Sequence, residues 1–266
     1  MRRRMVARTF SPPTTASEER FTIMRLCGRN IVITGGTSGI GLEVVKRLHV
    51  DNRVMVVASD ARRLQALAAS CDGIMTCRAD LSRPEGVAAA AAAAREAFPR
   101  LHVLINNAAV QHTPGFLDAD FDEASIQREI AVNLTAPCRL TALLLPVLLH
   151  DEPAAVVNVN SGLGLAPKTS SAVYCATKGG LNLFSQSLRH QLAGTCVQVL
   201  QAFMPMVETP MTAGRAGDKI TAGHAADQLI RGIERGIRDH DIGKVKLLRG
   251  LLHVAPGLAR RIMRRA

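Results

Sequence analysis

Tyr174 is the only tyrosine in the 266-residue chain, and Lys178 follows it four positions later in SSAVYCATKGG. On a helix, residues at i and i+4 face the same side. A phenol with an ordinary pKa of ~10 is a poor proton donor or acceptor at neutral pH. Lowering that value by about three units takes roughly 4 kcal/mol in favour of the phenolate. An ammonium about 4 Å away, in an effective dielectric of about 20, supplies a comparable amount. The pair is therefore equipped for general acid–base chemistry. Taken alone the pairing is also commonplace on helices, as a buried ring with a polar tip. Two more polar residues bear on the choice. Ser161 lies thirteen positions before Tyr174, at the end of a strand-like run, and Asn133 lies in VNLTAP. Singly, the serine could be a cap and the asparagine a helix kink.

The segments that must position these side chains alternate in character. NIVITGG (30–36), RVMVVASD (53–60), GIMTCRADL (73–81), LHVLINNAA (101–109), AAVVNVNSG (154–162) and VQVLQAFMP (197–205) read as strands ending in turn formers. LEVVKRLHV (42–50) and ARRLQALAAS (61–70) read as helices. Ser82-Arg83-Pro84-Glu85 has the spacing of a capping box with proline in the first turn, and the alanines 88–94 continue that helix. Strands alternating with helices predict a single-domain, doubly wound α/β Rossmann fold, its mostly parallel sheet flanked by helices on both faces. The expected organisation is a basic, disordered extension over 1–23, upstream of a possible start at Met24. A Rossmann domain over 24–228 and a basic, partly helical tail over 229–266 follow it.

TGGTSGIG (34–41) joins the first strand to the first helix, with Gly35, Gly39 and Gly41 spaced G-x-x-x-G-x-G. Glycine allows a tight turn and lets backbone approach a pyrophosphate, which helix N–H groups then hold. No Gly-Lys-Ser/Thr follows, which argues against a nucleoside-triphosphate loop. Ligands of such sheets sit at the carboxyl ends of the strands. Ser59, Asp80, Leu81, Asn107 and Ala108 occupy those ends, although Asn and Asp there also serve ordinary turns.

The formal charge of +11 is concentrated at the ends. Residues 1–23 hold five Arg against two Glu, and residues 229–266 hold ten Lys/Arg against three Asp/Glu. A nucleic-acid groove would need basic charge across the folded body with interleaved aromatics, and tryptophan is absent, so no nucleic-acid partner is expected. The six cysteines lack metal-ligand spacing and suit reduced thiols in the cytoplasm, with Cys175 the one beside the candidate site. No metal is expected. No apolar run reaches the roughly 18 residues of a membrane span. In LLHVAPGLARRIMRRA (251–266), arginines beside Leu258, Ile262 and Met263 could form a basic amphipathic helix on a membrane surface, or a solvated or subunit-contact helix.

TGGTSGIG, ADL, NNAA, VNLTAP, NSGLG and YCATK occur in order over about 25–212. On these motifs the chain resembles the short-chain dehydrogenase/reductase family, in its Tyr-x-x-x-Lys branch. NLTAPCRLTALLLP, VYCATK and MVETPMT are closest in style to bacterial DltE-like oxidoreductases. The resemblance implies hydride transfer between a nicotinamide dinucleotide and a carbonyl or alcohol. It implies a catalytic set of Asn133, Ser161, Tyr174 and Lys178. Tyr174 would be the acid/base, Lys178 would lower its pKa and bind the ribose, Ser161 would orient the carbonyl and Asn133 would support a water relay. It further implies cofactor contacts from Gly35, Thr37, Ser38, Gly39, Ile40, Gly41, Ser59, Asp80, Leu81, Asn107, Ala108, Tyr174, Lys178, Val207 and Thr209, and a homodimer or homotetramer built on the helices around Asn133 and Tyr174. Two positions depart from the family pattern: Ala109 replaces a glycine, and Met204-Pro205 replaces Pro-Gly.

NAD-selective sites place an acidic residue at the end of the second strand. Here Ala58 and Ser59 stand there, with Arg62 and Arg63 a turn later, which favours NADP over NAD, with Asp60 and Ser38 as counter-indications. Residues 110–113, 163–166 and 206–224 would form the substrate pocket, read as small and apolar, so a modest apolar carbonyl compound is expected. A non-catalytic dinucleotide sensor is the competing reading.

Overall fold

The β-branched runs all become strands, and the near-complete burial of 30–34, 53–58 and 154–161 places those inside a parallel sheet covered on both faces. The structure is a computed structural model that describes residues 24–264, so the expectation for 1–23 lies outside the described residues. In chain order it runs β1 (Asn30–Thr34), α1 (Gly39–Leu48), β2 (Arg53–Ala58), α2 (Ala61–Ser70), β3 (Met75–Arg78), α3 (Pro84–Ala97) and β4 (Val103–Asn106). Then come α4 (Ala124–Ile130), a π-helical turn (Ala131–Thr135), α5 (Ala136–Leu148), β5 (Ala154–Ser161), α6 (Ala172–Gln191) and β6 (Val197–Met204). The chain closes with β7 (Val207–Glu208), β8 (Ile220–Thr221), α7 (Ala222–Glu234), β9 (Asp239–Asp241), α8 (Val245–Val254) and α9 (Pro256–Met263).

Seven strands pair in the order β3-β2-β1-β4-β5-β6-β9, every pair parallel. The order reverses between β1 and β4, and the crevice at that switch point is where such a sheet holds its ligand. Strand periodicity divides the core in two. Ile31 and Ile33 face α1 and α7, against Val44, Val45, Leu229 and Ile233. Val32 and Leu104 face the other way, toward Ala90, Ala94, Leu140 and Leu144. The alanine-rich sequence of α3 buries Ala90, Ala91 and Ala94, small side chains that let it lie close to α5.

Three sequence expectations change. The capping box at Ser82 does not form: Arg83 is the N-cap, and Ser82 instead donates its N–H (2.9 Å) and hydroxyl (2.7 Å) to Asp80 Oδ1. The carboxylate two residues upstream is the better acceptor, and Pro84 still occupies the first turn.

The basic tail does not begin at 229. Leu229 and Ile233 complete the buried face of α7, and β9 adds an edge strand to the sheet. Arg189 clamps that edge through Asp239 at 2.6 Å, and Arg249 pairs with Asp241 at 2.5 Å. Part of the positive charge is thereby spent inside the fold.

The run Ala124–Leu148 is long and apolar enough for a membrane span by length and composition. One face of it packs into the core, with Leu140, Leu144 and Leu148 at most 1% exposed.

Candidate active site

The glycine turn is built by close backbone approach. Gly35 has φ +68, in the left-handed region, and a Cβ there would meet Ala108 Cα at 2.8 Å. A Cβ on Gly41 would overlap the Gly35 carbonyl oxygen. Asn107 locks this arrangement: its Nδ2 donates to the carbonyls of Thr34 (3.0 Å) and Gly35 (3.1 Å). Thr34 Oγ1 accepts in return from the N–H groups of Asn107 and Ala108, both at 3.0 Å. The side chain of Asn107 is thus committed to holding the turn against β4. Gly41 lies behind the turn rather than on the cavity wall. Gly41→Ala is expected to destabilise the fold by about 2 kcal/mol, lowering Tm by roughly 4–8 °C in thermal melting.

The turn opens onto a cavity of about 1390 Å³ that runs along the carboxyl ends of β1, β2, β4 and β5. That exceeds the ~300–1,000 Å³ of a typical small-ligand site and leaves room for a dinucleotide together with a second molecule. Gly35, Thr37, Ser38, Gly39 and Ile40 line one end with Ser59, Asp80, Leu81 and Ala108, and Val207 and Thr209 close over it. Thr209 approaches so nearly that a Cβ on Gly39 would sit 2.9 Å from its Cγ2. No acidic residue occupies the first turn of α1, so the positive end of the helix faces the cavity uncompensated. A cradle that any Cβ would fill, beside a free helix N-terminus, fits a pyrophosphate.

At the end of β2, Asp60 caps α2, accepting from the N–H groups of Arg62 (2.9 Å) and Arg63 (3.1 Å). Its carboxyl is held below the usual range, first by the Arg63 N–H bond. Arg63 lines the cavity, and Arg78, which the sequence reading overlooked, reaches the Ser59 carbonyl at 3.4 Å.

At the other end, Ser161, Tyr174 and Lys178 converge. Ser161 terminates β5, its N–H held by Asn160 Oδ1 at 2.8 Å, and its hydroxyl hydrogen-bonds the Tyr174 phenol. The glycines of NSGLG have a steric cause: a Cβ on Gly164 would lie 2.8 Å from the Lys178 carbonyl on α6. Lys178 is buried and donates to Val159 O at 2.8 Å, its Nζ 5.7 Å from the Tyr174 ring centroid.

This corrects the expected electrostatics. Burial pushes the Tyr174 phenol up to about 12, against the lowering by Ser161, and burial alone lowers Lys178 to about 8. Desolvation favours the neutral form of both groups, and the ammonium faces a carbonyl rather than the phenol oxygen.

Asn133 lies in the π turn, fully buried and behind the cavity wall. Its Nδ2 donates to Val110 O (2.8 Å) and Thr177 Oγ1 (3.3 Å), while its Oδ1 accepts from Val110 N–H (2.9 Å). It clamps the loop after β4 to α6. Cys175 is buried with its thiol pushed up by desolvation, so it is no target for thiol reagents; Cys27 is the exposed cysteine.

The substrate side is less apolar than the sequence suggested. Lys168 and Arg215 line the same cavity as Tyr174, and Arg215 Nη1 donates to Gln111 Oε1 at 2.5 Å. Gln111 Nε2 donates in turn to Ser171 Oγ (3.1 Å), the N-cap of α6, held at φ 59. The C-terminal segment supplies further wall through Val245, Leu248 and Met263. Thr169 Oγ1 ties the end of α9 down by donating to Arg264 O at 2.6 Å.

Sheet order, glycine cradle and polar cluster together define a dinucleotide-binding α/β oxidoreductase. A family model described as short chain dehydrogenase matches residues 29–219, and the chain belongs to that family. It is accordingly an oxidoreductase that acts with NAD(P). A Bacillus subtilis protein described as uncharacterized oxidoreductase DltE is 37% identical over 187 residues, covering 70% of this chain and 74% of that one. A short-chain dehydrogenase from Sphingobium yanoikuyae, solved in complex with NADPH, is 28% identical with a TM-score of 0.76, covering 86% and 94% of the two chains. One from Burkholderia cenocepacia J2315, solved with NADP, has a TM-score of 0.81 at 22% identity, covering 90% and 99%, and shows the shared fold.

Proposed function

We propose that the protein reduces a small carbonyl compound with NADPH, Tyr174 giving the proton and Ser161 orienting the carbonyl oxygen. The observation that carries this reading is the convergence of Ser161, Tyr174 and Lys178 on one cavity whose opposite end is the glycine cradle. The bound nicotinamide would supply the hydride. Tyr174 is protonated at neutral pH and so carries the proton an alkoxide needs; burial, which raises the phenol to about 12, makes that proton harder to release, and the Ser161 bond opposes the rise. Lys178, on the wall of the same cavity, would bind the ribose. The side chain of Asn133 is fully engaged, so a relay there would use main-chain groups, where the π turn interrupts the regular helical ladder.

NADP preference rests on the absence of a free carboxylate at the end of β2. Asp60 caps its helix through Oδ1 and pairs with Arg63 through Oδ2 at 3.4 Å, and Arg63, on the cavity wall, would turn from that exposed pair to a 2′-phosphate. Arg63→Glu is expected to weaken NADPH binding about tenfold or more by calorimetry and NADH binding much less. Tighter NADH than NADPH binding by the unmodified protein would overturn the preference. Ile130 and Leu183, exposed on the catalytic helices, support a homo-oligomer, and six free cysteines support the cytoplasm. A screen of NADPH oxidation over aldehydes, ketones and quinones, with Tyr174→Phe as control, tests the reading; absence of any Tyr174-dependent turnover would favour a dinucleotide sensor.

A further inference from the structure

Lys168 and Arg215 stand on different segments, the β5–α6 connection and the stretch between β7 and β8, yet both reach the cavity beside Tyr174. Both are half-buried. The main-chain N–H of Lys168 hydrogen-bonds the thiol of Cys175, which fixes its backbone next to the reactive tyrosine. Arg215 is held through Gln111, and its charge is felt at both Lys168 and the Tyr174 phenol. Two like charges thus line one pocket within electrostatic reach of each other.

Among the described residues neither has a carboxylate partner. Asp218 also lines the cavity but is taken by Lys244 at 2.5 Å. Glu129 is buried and accepts from the N–H of His112, and its carboxyl is pushed up by desolvation. A pair of partly desolvated cations without a counter-charge is unfavourable unless an anion joins them. Arg215 also keeps guanidinium N–H groups beyond the one given to Gln111, in the fork geometry that suits an oxyanion.

We propose that Lys168 and Arg215 form an anion subsite, so that the carbonyl substrate carries a carboxylate, sulfonate or phosphate group. The proposal rests on the carbonyl-reductase reading above and narrows it to a substrate class. The subsite stands beside Ser161 and Tyr174, at the end of the cavity away from the glycine cradle, so it serves the substrate rather than the pyrophosphate.

The test compares short aldehydes ending in carboxylate, sulfonate or phosphate with neutral ester or alcohol analogues of the same length. At least one anionic series is expected to show kcat/KM about tenfold or more above its neutral partner. That ratio should fall toward one in Lys168→Met and Arg215→Met and persist in Lys168→Arg. Circular dichroism confirms that each variant is folded. Equal or better turnover of every neutral analogue would overturn the proposal, as would variants that weaken NADPH binding while leaving the ratio intact. If no aldehyde is reduced, thermal melting with the non-reactive dicarboxylate succinate, with 2-hydroxyethanesulfonate and with phosphate separates the two readings. Anion stabilisation lost in both methionine variants would keep the subsite and discard the reductase. No stabilisation by any of the three would discard the subsite.

Discussion

Tyr174→Phe is expected to cut turnover by about 10³-fold or more while leaving NADPH affinity nearly unchanged, measured by cofactor oxidation and by calorimetry. The substitution deletes one oxygen and keeps the ring that fills the wall between α6 and β5. Tyr174 is 8% exposed, so the packing it contributes survives, and the one bond lost is that with the Ser161 hydroxyl, which is half-buried on the cavity wall. Only the proton for the developing alkoxide is removed. Water, a weaker acid than a phenol and not fixed by the fold, is a poor substitute. Because the proton is needed only as charge develops on the substrate oxygen, kcat should carry the loss and KM should move little. Retention of more than about a tenth of the activity would be incompatible with the assigned role. A fall in NADPH affinity matching the fall in rate would instead make Tyr174 a cofactor-binding residue.

The frame of this site was legible in the chain because it rests on local rules. Fully apolar strands, glycines at a strand–helix junction and a polar residue ending each strand are all consequences of backbone geometry. The reverse of strand order between β1 and β4 brings Gly35, Asn107, Ser161 and Tyr174 to one edge. What was misread depends on partners distant in sequence. Asn107 lines the cavity, but the use of its amide nitrogen on Thr34 and Gly35, about seventy residues away, does not show in the sequence. Asp60 reads as a rival to the phosphate until its cap bonds are seen. Arg249 reads as part of a basic tail until β9 supplies Asp241. Lys168 and Arg215 were overlooked because their segments were judged by average polarity. The available signal was Arg215 within 206–224, a segment already assigned to the pocket, and Lys168 two positions beyond 163–166.

Lys178→Met is expected to raise Tm at pH 7 by roughly 4–8 °C while reducing turnover at least ~100-fold. A lysine at about 8 in the fold and at its usual 10.5 when unfolded binds fewer protons folded than unfolded across that interval. Stability therefore rises as pH climbs from about 8 to 10.5, and below 8 the fold bears the whole cost, about 3 kcal/mol. Against this stands the bond from Nζ to Val159 O at 2.8 Å, whose loss costs about 1 kcal/mol. Desolvation is the larger quantity, so methionine, of similar length and apolar, should leave a net gain of about 2 kcal/mol. Tyr174 acts in the opposite sense: raised from 10 to about 12, it withdraws stability as pH rises through that range. The unmodified protein should thus gain stability from about pH 8 to 10 and then lose it, whereas Lys178→Met should show only the loss. Melting curves at pH 7 and 9.5 read the difference directly, and the gap between the two proteins should narrow at the higher pH. A variant less stable than its parent at pH 7 would mean that the ammonium holds the fold together. The expected result means the reverse: a charged lysine is kept in a buried wall at the expense of stability, as the ribose-binding and proton-transfer roles proposed for it would require.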